Sequence, residues 1–253
     1  MSSTPRIFLS SVPPGKAEIT LDEATSRYLV KVMRLTEGAR FSGFDAEGVR
    51  YQLELSKANV ADSTVTILSK DESQKGVPKT SITLAQGLPK AAKMDLILRQ
   101  GTEVGVDRFI PLVTQRSVSR PDPSQYGHKN DRWQKILVEA SRQCGRGQMP
   151  QLDPVTAWES GLDLFQGFDQ VLLPYEKQAP TLRTVLESKP DAGKILVLIG
   201  PEGGWAPEEV KIAQEKGASP VHLPTPILRT ETAGIAVVSM IRFFKSGPEG
   251  ERS

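Results

Sequence analysis

The sequence predicts an α/β protein in two parts: a small β-barrel carrying one helix, then a mainly parallel sheet with helices on both faces. Three observations carry this. Short β-like runs separated by turns fill the first seventy residues, whereas from Ser81 onward β-branched runs alternate with helical periods of about 10–15 residues. Between them lies KDESQKGVPK, Lys70 to Lys79, charged and broken by glycine and proline as a linker would be. With 253 residues, 38% hydrophobic and 25% charged, the chain suits one large domain or two small ones. The expected boundaries are 1–72 for the barrel, 73–79 for the linker and 80–253 for the sheet domain.

The barrel strands are expected at RIFLS, ARFSGFD, VRYQLELS and STVTILSK. The helix is expected at DEATSRYLVKVMR, with Leu29, Val32, Met33 and Leu35 on its apolar face. In the second part, strands are read at ITLAQGL, RFIPLVT, QVLLPYE, KILVLIG and PVHL. Helices are read at KMDLILRQGTEVG, DRWQKILVEASRQCG, TLRTVLES, APEEVKIAQEKG and TETAGIAVVSMIRFFK. Such alternation implies parallel strands, whose ligands bind beyond the strands' carboxyl ends.

Composition removes several function classes. One cysteine, Cys144, precludes an internal disulfide, and with only His128 and His222 a Cys/His metal site is not expected. No apolar run approaches the roughly 20 residues that span a bilayer, and MSSTPRIFLSSVPPGK lacks a signal-peptide core, so a cytoplasmic protein is expected. Net charge is only +2, yet residues 79–146 carry twelve basic and six acidic side chains. A basic stretch of this kind serves as solvated surface or as a nucleic-acid contact.

The chemistry concentrates at three strand ends. ILVLIGPEGGWAPEEV is an apolar strand that breaks into Gly200-Pro201-Glu202-Gly203-Gly204 and then opens a helix at Pro207, with Glu208 and Glu209 in its first turn. No Lys-Ser/Thr follows, so this is no P-loop, and the glycine spacing is not the dinucleotide one. PTPILR leaves the next strand beside that turn, and VLLPYE ends in the same layer. Thr230 is positioned to cap the last helix through its hydroxyl. Glycines, prolines and apolar side chains without a Lys/Arg cluster suit an uncharged adenosine better than a phosphate.

The ordered set LPKAAKMDLILRQGTEVGV, EASRQCGRGQMP, GPEGGW and LPTPILRTETA resembles the SPOUT-class methyltransferases that modify N3 of a uridine in 16S ribosomal RNA. The likeness runs nearly the whole chain. It implies a trefoil-knotted C-terminal domain that binds S-adenosylmethionine, a PUA-like N-terminal barrel that helps hold RNA, and a homodimer. Carried over to this chain, the cofactor pocket comprises Leu173, Pro174, Ile199, Gly200, Gly203, Gly204, Leu223, Ile227, Leu228, Arg229 and Thr232. Thr232-Ala233-Gly234 would let the last helix start tightly against it.

Uracil N3 carries a proton and is a poor nucleophile until that proton is removed or shared, so a base or a cation on the uracil oxygens is needed. Arg229 is the expected cation and Glu202 the candidate base. Each has a structural alternative, a salt bridge for Arg229 and a solvated turn carboxylate for Glu202. Arg6, Arg34, Lys90, Lys93, Arg116, Arg142, Gln143 and Arg146 are expected on RNA, either on free 16S rRNA or on the small ribosomal subunit. The dimer that the resemblance implies is expected to include the last helix, whose Ile235, Val237, Val238, Ile241 and Phe244 are apolar on more than one face, although a core helix is also apolar all round without a partner. The alternative functions are methylation of another RNA position and non-catalytic RNA binding.

Overall fold

In the computed structural model, residues 5–9, 12–13, 15–45, 49–71, 80–90, 92–118, 126–146 and 148–246 are described, without the side chains of 126–128. The expected linker at 73–79 lies outside them. The chain divides into two compact units, Met1–Gly76 with Ser141–Met149, and Val77–Ala140 with Pro150–Ser253.

The first unit is built on five strands: β1 (Arg6–Leu9), β2 (Glu18–Thr20), β3 (Arg40–Asp45), β4 (Arg50–Lys57) and β5 (Thr64–Asp71). Their order is β1-β3-β4-β5-β2, antiparallel except for the parallel β1 and β3 pair. The alternation in RYQLELSK buries Tyr51, Leu53 and Leu55 on one face, where they meet Ile7, Leu9, Phe41 and Val65. The sequence missed β2, whose three residues are too few to show a period. Helix α1 (Glu23–Arg27) is capped by Asp22, whose carboxylate accepts from the Thr25 N–H at 2.8 Å.

The expected helix continues past α1 as a π-helical segment over Tyr28–Val32, closed by the Met33 N–H on the Tyr28 carbonyl at 2.9 Å. This wider register changes the phase of the side chains. Leu29 is buried as expected, whereas Val32 is 65% exposed, which corrects its assignment to the apolar face.

The second unit carries an all-parallel sheet. Its strands are β6 (Ser81–Gly87), β7 (Arg108–Val113), β8 (Gln151–Leu152), β9 (Thr156–Ala157), β10 (Gln170–Pro174), β11 (Lys194–Ile199) and β12 (Ser219–Val221). They run in the order β12-β10-β11-β6-β7-β8, with β9 also on β7. The central β11 is buried from Ile195 to Ile199, the continuous apolar run of a strand covered on both faces. The helices are α2 (Lys93–Glu103), α3 (Tyr126–Cys144), α4 (Trp158–Leu162), α5 (Leu182–Glu187), α6 (Pro207–Glu215) and α7 (Thr230–Lys245). Two-residue β8 and β9 and five-residue α4 lack a readable period and were not expected.

Helix α7 begins and ends where the sequence places it. Its buried face is Gly234, Val237, Val238 and Ile241, and Gly234 lies against Leu84 and Ile199 of the sheet. Arg242 fixes it to the start of the unit, donating to the Thr80 carbonyl at 2.7 Å and to Asp107 Oδ2 at 2.6 Å, and also to the Gly105 carbonyl. Among the described residues no helix is long and apolar enough to cross a membrane, and no cluster of His, Cys, Asp and Glu could hold a metal ion.

Candidate active site

The carboxyl ends of β10, β11 and β12 open on one crevice. A cavity of about 560 Å³ is lined by Pro174 and Glu176 after β10, Ile199 to Trp205 from β11 into α6, Ile227 to Glu231 before and into α7, and Lys93 of α2. A second cavity of about 130 Å³ adds Tyr175, His222, Leu223, Thr225 and Pro226, and shares Pro174, Glu176, Ile227, Leu228 and Ala233 with the first. Together they have the size and apolar walls of a small-molecule site. Of the expected cofactor residues, Leu173 is completely buried within β10 and Thr232 faces solvent, so neither lines the cavities. The others do.

The glycine turn takes its shape from its neighbours. Gly204 has φ +68°, the left-handed region that glycine enters without cost, and a Cβ placed there would meet nothing within 4 Å. Pro207 opens α6, and Glu209 reaches back so that Oε2 accepts from the Ala206 N–H at 2.9 Å. Oε1 of this buried carboxylate accepts from the Gln115 N–H at 2.8 Å. A helix cap thus doubles as a clamp on the loop after β7. In that loop Arg116 donates to the Gly203 carbonyl at 2.9 Å, so a residue expected on RNA stands against the turn.

Thr230 does not cap its helix. The N-cap of α7 is Arg229, with no side-chain cap bond. The Thr230 hydroxyl instead donates to the Gly200 carbonyl at 2.6 Å and accepts from the Gln86 Nε2 at 2.9 Å. Gln86 is fully buried at the end of the central strand β6. It joins the last helix to the glycine turn, a role that no local pattern announces.

Beside the turn, Lys93 Nζ lies 3.0 Å from Glu202 Oε1 and 3.2 Å from Glu231 Oε2. Its charge is therefore committed to two carboxylates, and they raise its pKa above the usual lysine value. Burial opposes the ionised form of Glu202, but its own N–H, Lys93 and the Lys90 N–H outweigh this and hold the carboxyl below the usual range. Glu231 is held low by its own N–H against burial, with Lys93 and Arg229 adding to the effect. Glu202 is thus a stabilised carboxylate, poorly matched to taking a proton near neutral pH. Arg229 is exposed and makes no ion pair among the described residues.

The lowered carboxylates set a sign for acid stability. A folded pKa below the unfolded one contributes stability that is present above about 4.5 and is lost as pH falls through the folded value. Melting temperature should therefore fall more steeply below pH 4.5 in the wild type than in Glu202→Gln. Parallel acid limbs in thermal melts would show that Glu202 gains nothing from its neighbours.

The remaining RNA candidates separate by unit. Lys90, in the second, is exposed. In the first, Arg34 is exposed with φ 54°, Gln143 is exposed, and Arg142 lies 5.0 Å from the centre of the Tyr28 ring. Arg6 and Arg146 line a common pocket. The sequence did not single out Gln86 or Trp205, and it placed Glu209 only in the first turn of its helix. Trp205 is 5% exposed and lines the larger cavity, with its indole N–H unpartnered among the described residues.

Residues 77–242 match a family model described as RNA methyltransferase domain. The chain is 30% identical over 221 residues to the Ribosomal RNA small subunit methyltransferase E of Bacillus subtilis, covering 85% of this chain and 86% of that one. It is 31% identical to the protein of the same name from Synechocystis, covering 89% and 73%. The crystal structure of a Ribosomal RNA small subunit methyltransferase E from Neisseria gonorrhoeae bound to S-adenosyl methionine superposes with a TM-score of 0.84 at 26% identity, over 95% and 97% of the two chains.

Proposed function

The chain belongs to the family of the RNA methyltransferase domain, and from that premise we propose that it is an S-adenosylmethionine-dependent enzyme that methylates N3 of a uridine in 16S ribosomal RNA. The observation that carries the cofactor is the crevice at three strand ends. Its walls present glycine backbone and apolar side chains, and its charged groups are Glu176, Glu202 and Glu231 against Lys93 and Arg229. Such a balance repels phosphate and suits a sulfonium. The buried Thr225 hydroxyl and Trp205 indole N–H, both without partners among the described residues, are polar groups that a nucleoside could satisfy. S-adenosylmethionine supplies an electrophilic methyl group. The chain's part is to hold the acceptor nitrogen in line with it.

In this reading Ile199, Gly200, Gly203 and Gly204 form one wall of the cofactor site, with Pro174, Leu223, Ile227 and Leu228 opposite. Leu173 supports that wall from within β10, and Thr232 marks the first turn of α7. Arg229, exposed and in no ion pair among the described residues, takes up charge on the uracil oxygens as N3 loses its proton. Glu202 serves as a fixed partner of Lys93 more readily than as a base. The proximity of the loops after β11 and β12 supports the trefoil-knotted arrangement, and the five-stranded first unit supports a PUA-like barrel that holds RNA. Arg34, Lys90, Arg116, Arg142 and Gln143 remain RNA contacts in this proposal.

A homodimer through the exposed face of α7 completes it, since Val237, Val238 and Ile241, expected at the interface, are buried within the chain itself. Phe243 is 82% exposed, and with Phe244, Met240, Leu182, Leu186 and Pro224 it borders an apolar cavity of about 410 Å³. Light scattering at micromolar concentration is expected to give twice the chain mass; a monomer would remove the interface.

Methylation at N3 blocks Watson–Crick pairing, so the function is tested by primer extension on 16S rRNA from cells with and without the gene. One uridine should stop extension only when the gene is present. A methylated ribose elsewhere, with no such stop, would transfer the enzyme to another RNA position. Failure to bind cofactor in a calorimetric titration would leave a non-catalytic RNA-binding protein.

A further inference from the structure

The first unit contains a pocket of about 220 Å³ remote in sequence from the glycine turn, lined by Arg6, Arg50 and Arg146 and by the polar side chains Ser42, Gln52 and Ser69. Strands β1, β3, β4 and β5 supply all but Gly145 and Arg146, which come from the segment after α3. Register explains the gathering, because Arg6 stands opposite Ser42 on β3 and Arg50 stands opposite both Phe44 and Asp71.

The pocket is shaped rather than merely charged. Arg6 Nη1 donates to the Gly145 carbonyl at 2.8 Å and Nε to the Ser42 hydroxyl at 3.4 Å, which orients the guanidinium and leaves further N–H groups for a ligand. Gly145 has φ +74°, and a Cβ on it would fall 2.1 Å from Arg6 Nη1. A side chain there would strain the backbone and push the guanidinium aside. Arg50 makes no ion pair among the described residues. Among the described residues Asp71 is the one carboxylate in the wall, so the described lining keeps a net positive charge.

The geometry points to this pocket as a subsite for a phosphodiester group of the RNA backbone. Guanidinium forks flanked by hydroxyls and an amide match the oxygens of a phosphate. The nearby rings of Phe44 and Tyr51 are buried, so they offer no face on which a base could stack. The subsite reads no sequence. Its task is to position RNA, and it rests on the reading that the substrate is RNA.

The test is the salt dependence of binding to 16S rRNA fragments by the full chain. Each phosphate contact adds about 0.7 to 0.9 to the slope of log affinity against log salt. Arg50→Gln should lower that slope by about this amount, so that the wild-type advantage shrinks about threefold between about 50 and about 200 mM salt. The loss should be equal on an RNA of unrelated sequence, with cofactor affinity unchanged. Gly145→Ala keeps every charge but displaces Arg6, and if it folds it should reproduce the loss, which a diffuse positive field would not. Unchanged affinity and slope in Arg50→Gln would overturn the subsite. So would competition by inorganic phosphate for the pocket with no effect of Arg50→Gln on RNA, which would mark a free-anion site. A wild-type chain that shows the Arg50-dependent slope yet leaves the 16S uridine unmethylated would retain the subsite and overturn the catalytic reading alone.

Discussion

Arg229→Ala is expected to slow methyl transfer to small-subunit RNA by about a hundredfold, equivalent to about 3 kcal/mol, while folding and cofactor binding hardly change. The size follows from timing. A cation that meets charge developing on uracil acts mainly in the transition state, so its loss lowers kcat and leaves cofactor affinity in place. The structure sharpens the expectation about stability, because Arg229 is exposed and no carboxylate lies within ion-pair distance of it among the described residues. The N-cap conformation at this position, φ −68° and ψ 154°, is open to alanine, and no side-chain cap bond is lost. Turnover with labelled methyl donor and a thermal melt measure the two halves. A folded mutant with full turnover would leave substrate positioning to carry the chemistry.

The second large effect is expected at Gly204. Valine there would combine two losses, since a β-branched residue at φ +68° is strained by about 1 to 3 kcal/mol before any ligand is considered. Asparagine separates them, because its short polar side chain tolerates the left-handed region. The space around the new Cβ is empty and Gly204 lines the larger cavity, so Gly204→Asn should fold well. The added side chain should then weaken cofactor binding by more than tenfold in calorimetry. Gly204→Val should show the same weakening with a lower melting temperature as well. Wild-type affinity in a folded Gly204→Asn protein would displace the cofactor from this wall.

What the sequence made legible depended on how local the cause was. Helix α7 was readable to its ends because an apolar period of sixteen residues begins just after a proline-containing loop. The glycine turn was readable because its residue types are needed by its own backbone. Val32 was misplaced because the helical register widens at Tyr28, a change that no periodicity of five residues reveals. Thr230 was read as a cap from its position, whereas the partner that claims its hydroxyl lies 30 residues away in sequence. Lys93 read as a free cation until Glu202 and Glu231, each more than a hundred residues distant, were brought to it. Arg50, opposite Asp71 in the ladder, drew no notice in a chain of 32 basic residues.

The contact of Gln86 with Thr230 also decides how mechanical freedom is shared around the crevice. The start of α7 is tied through one hydroxyl to the Gly200 carbonyl and through one amide to β6, which anchors it to the middle of the sheet. Residues 223–228 have no such tether: none of their backbone N–H groups donates a hydrogen bond to backbone among the described residues, and Ile227 is 87% exposed. The crevice is therefore anchored to the sheet on one side and untied from backbone on the other among the described residues. Amide hydrogen exchange is therefore expected to be fast at Leu223, Thr225, Ile227 and Leu228 and slow at Ala233, whose N–H is held by the Arg229 carbonyl.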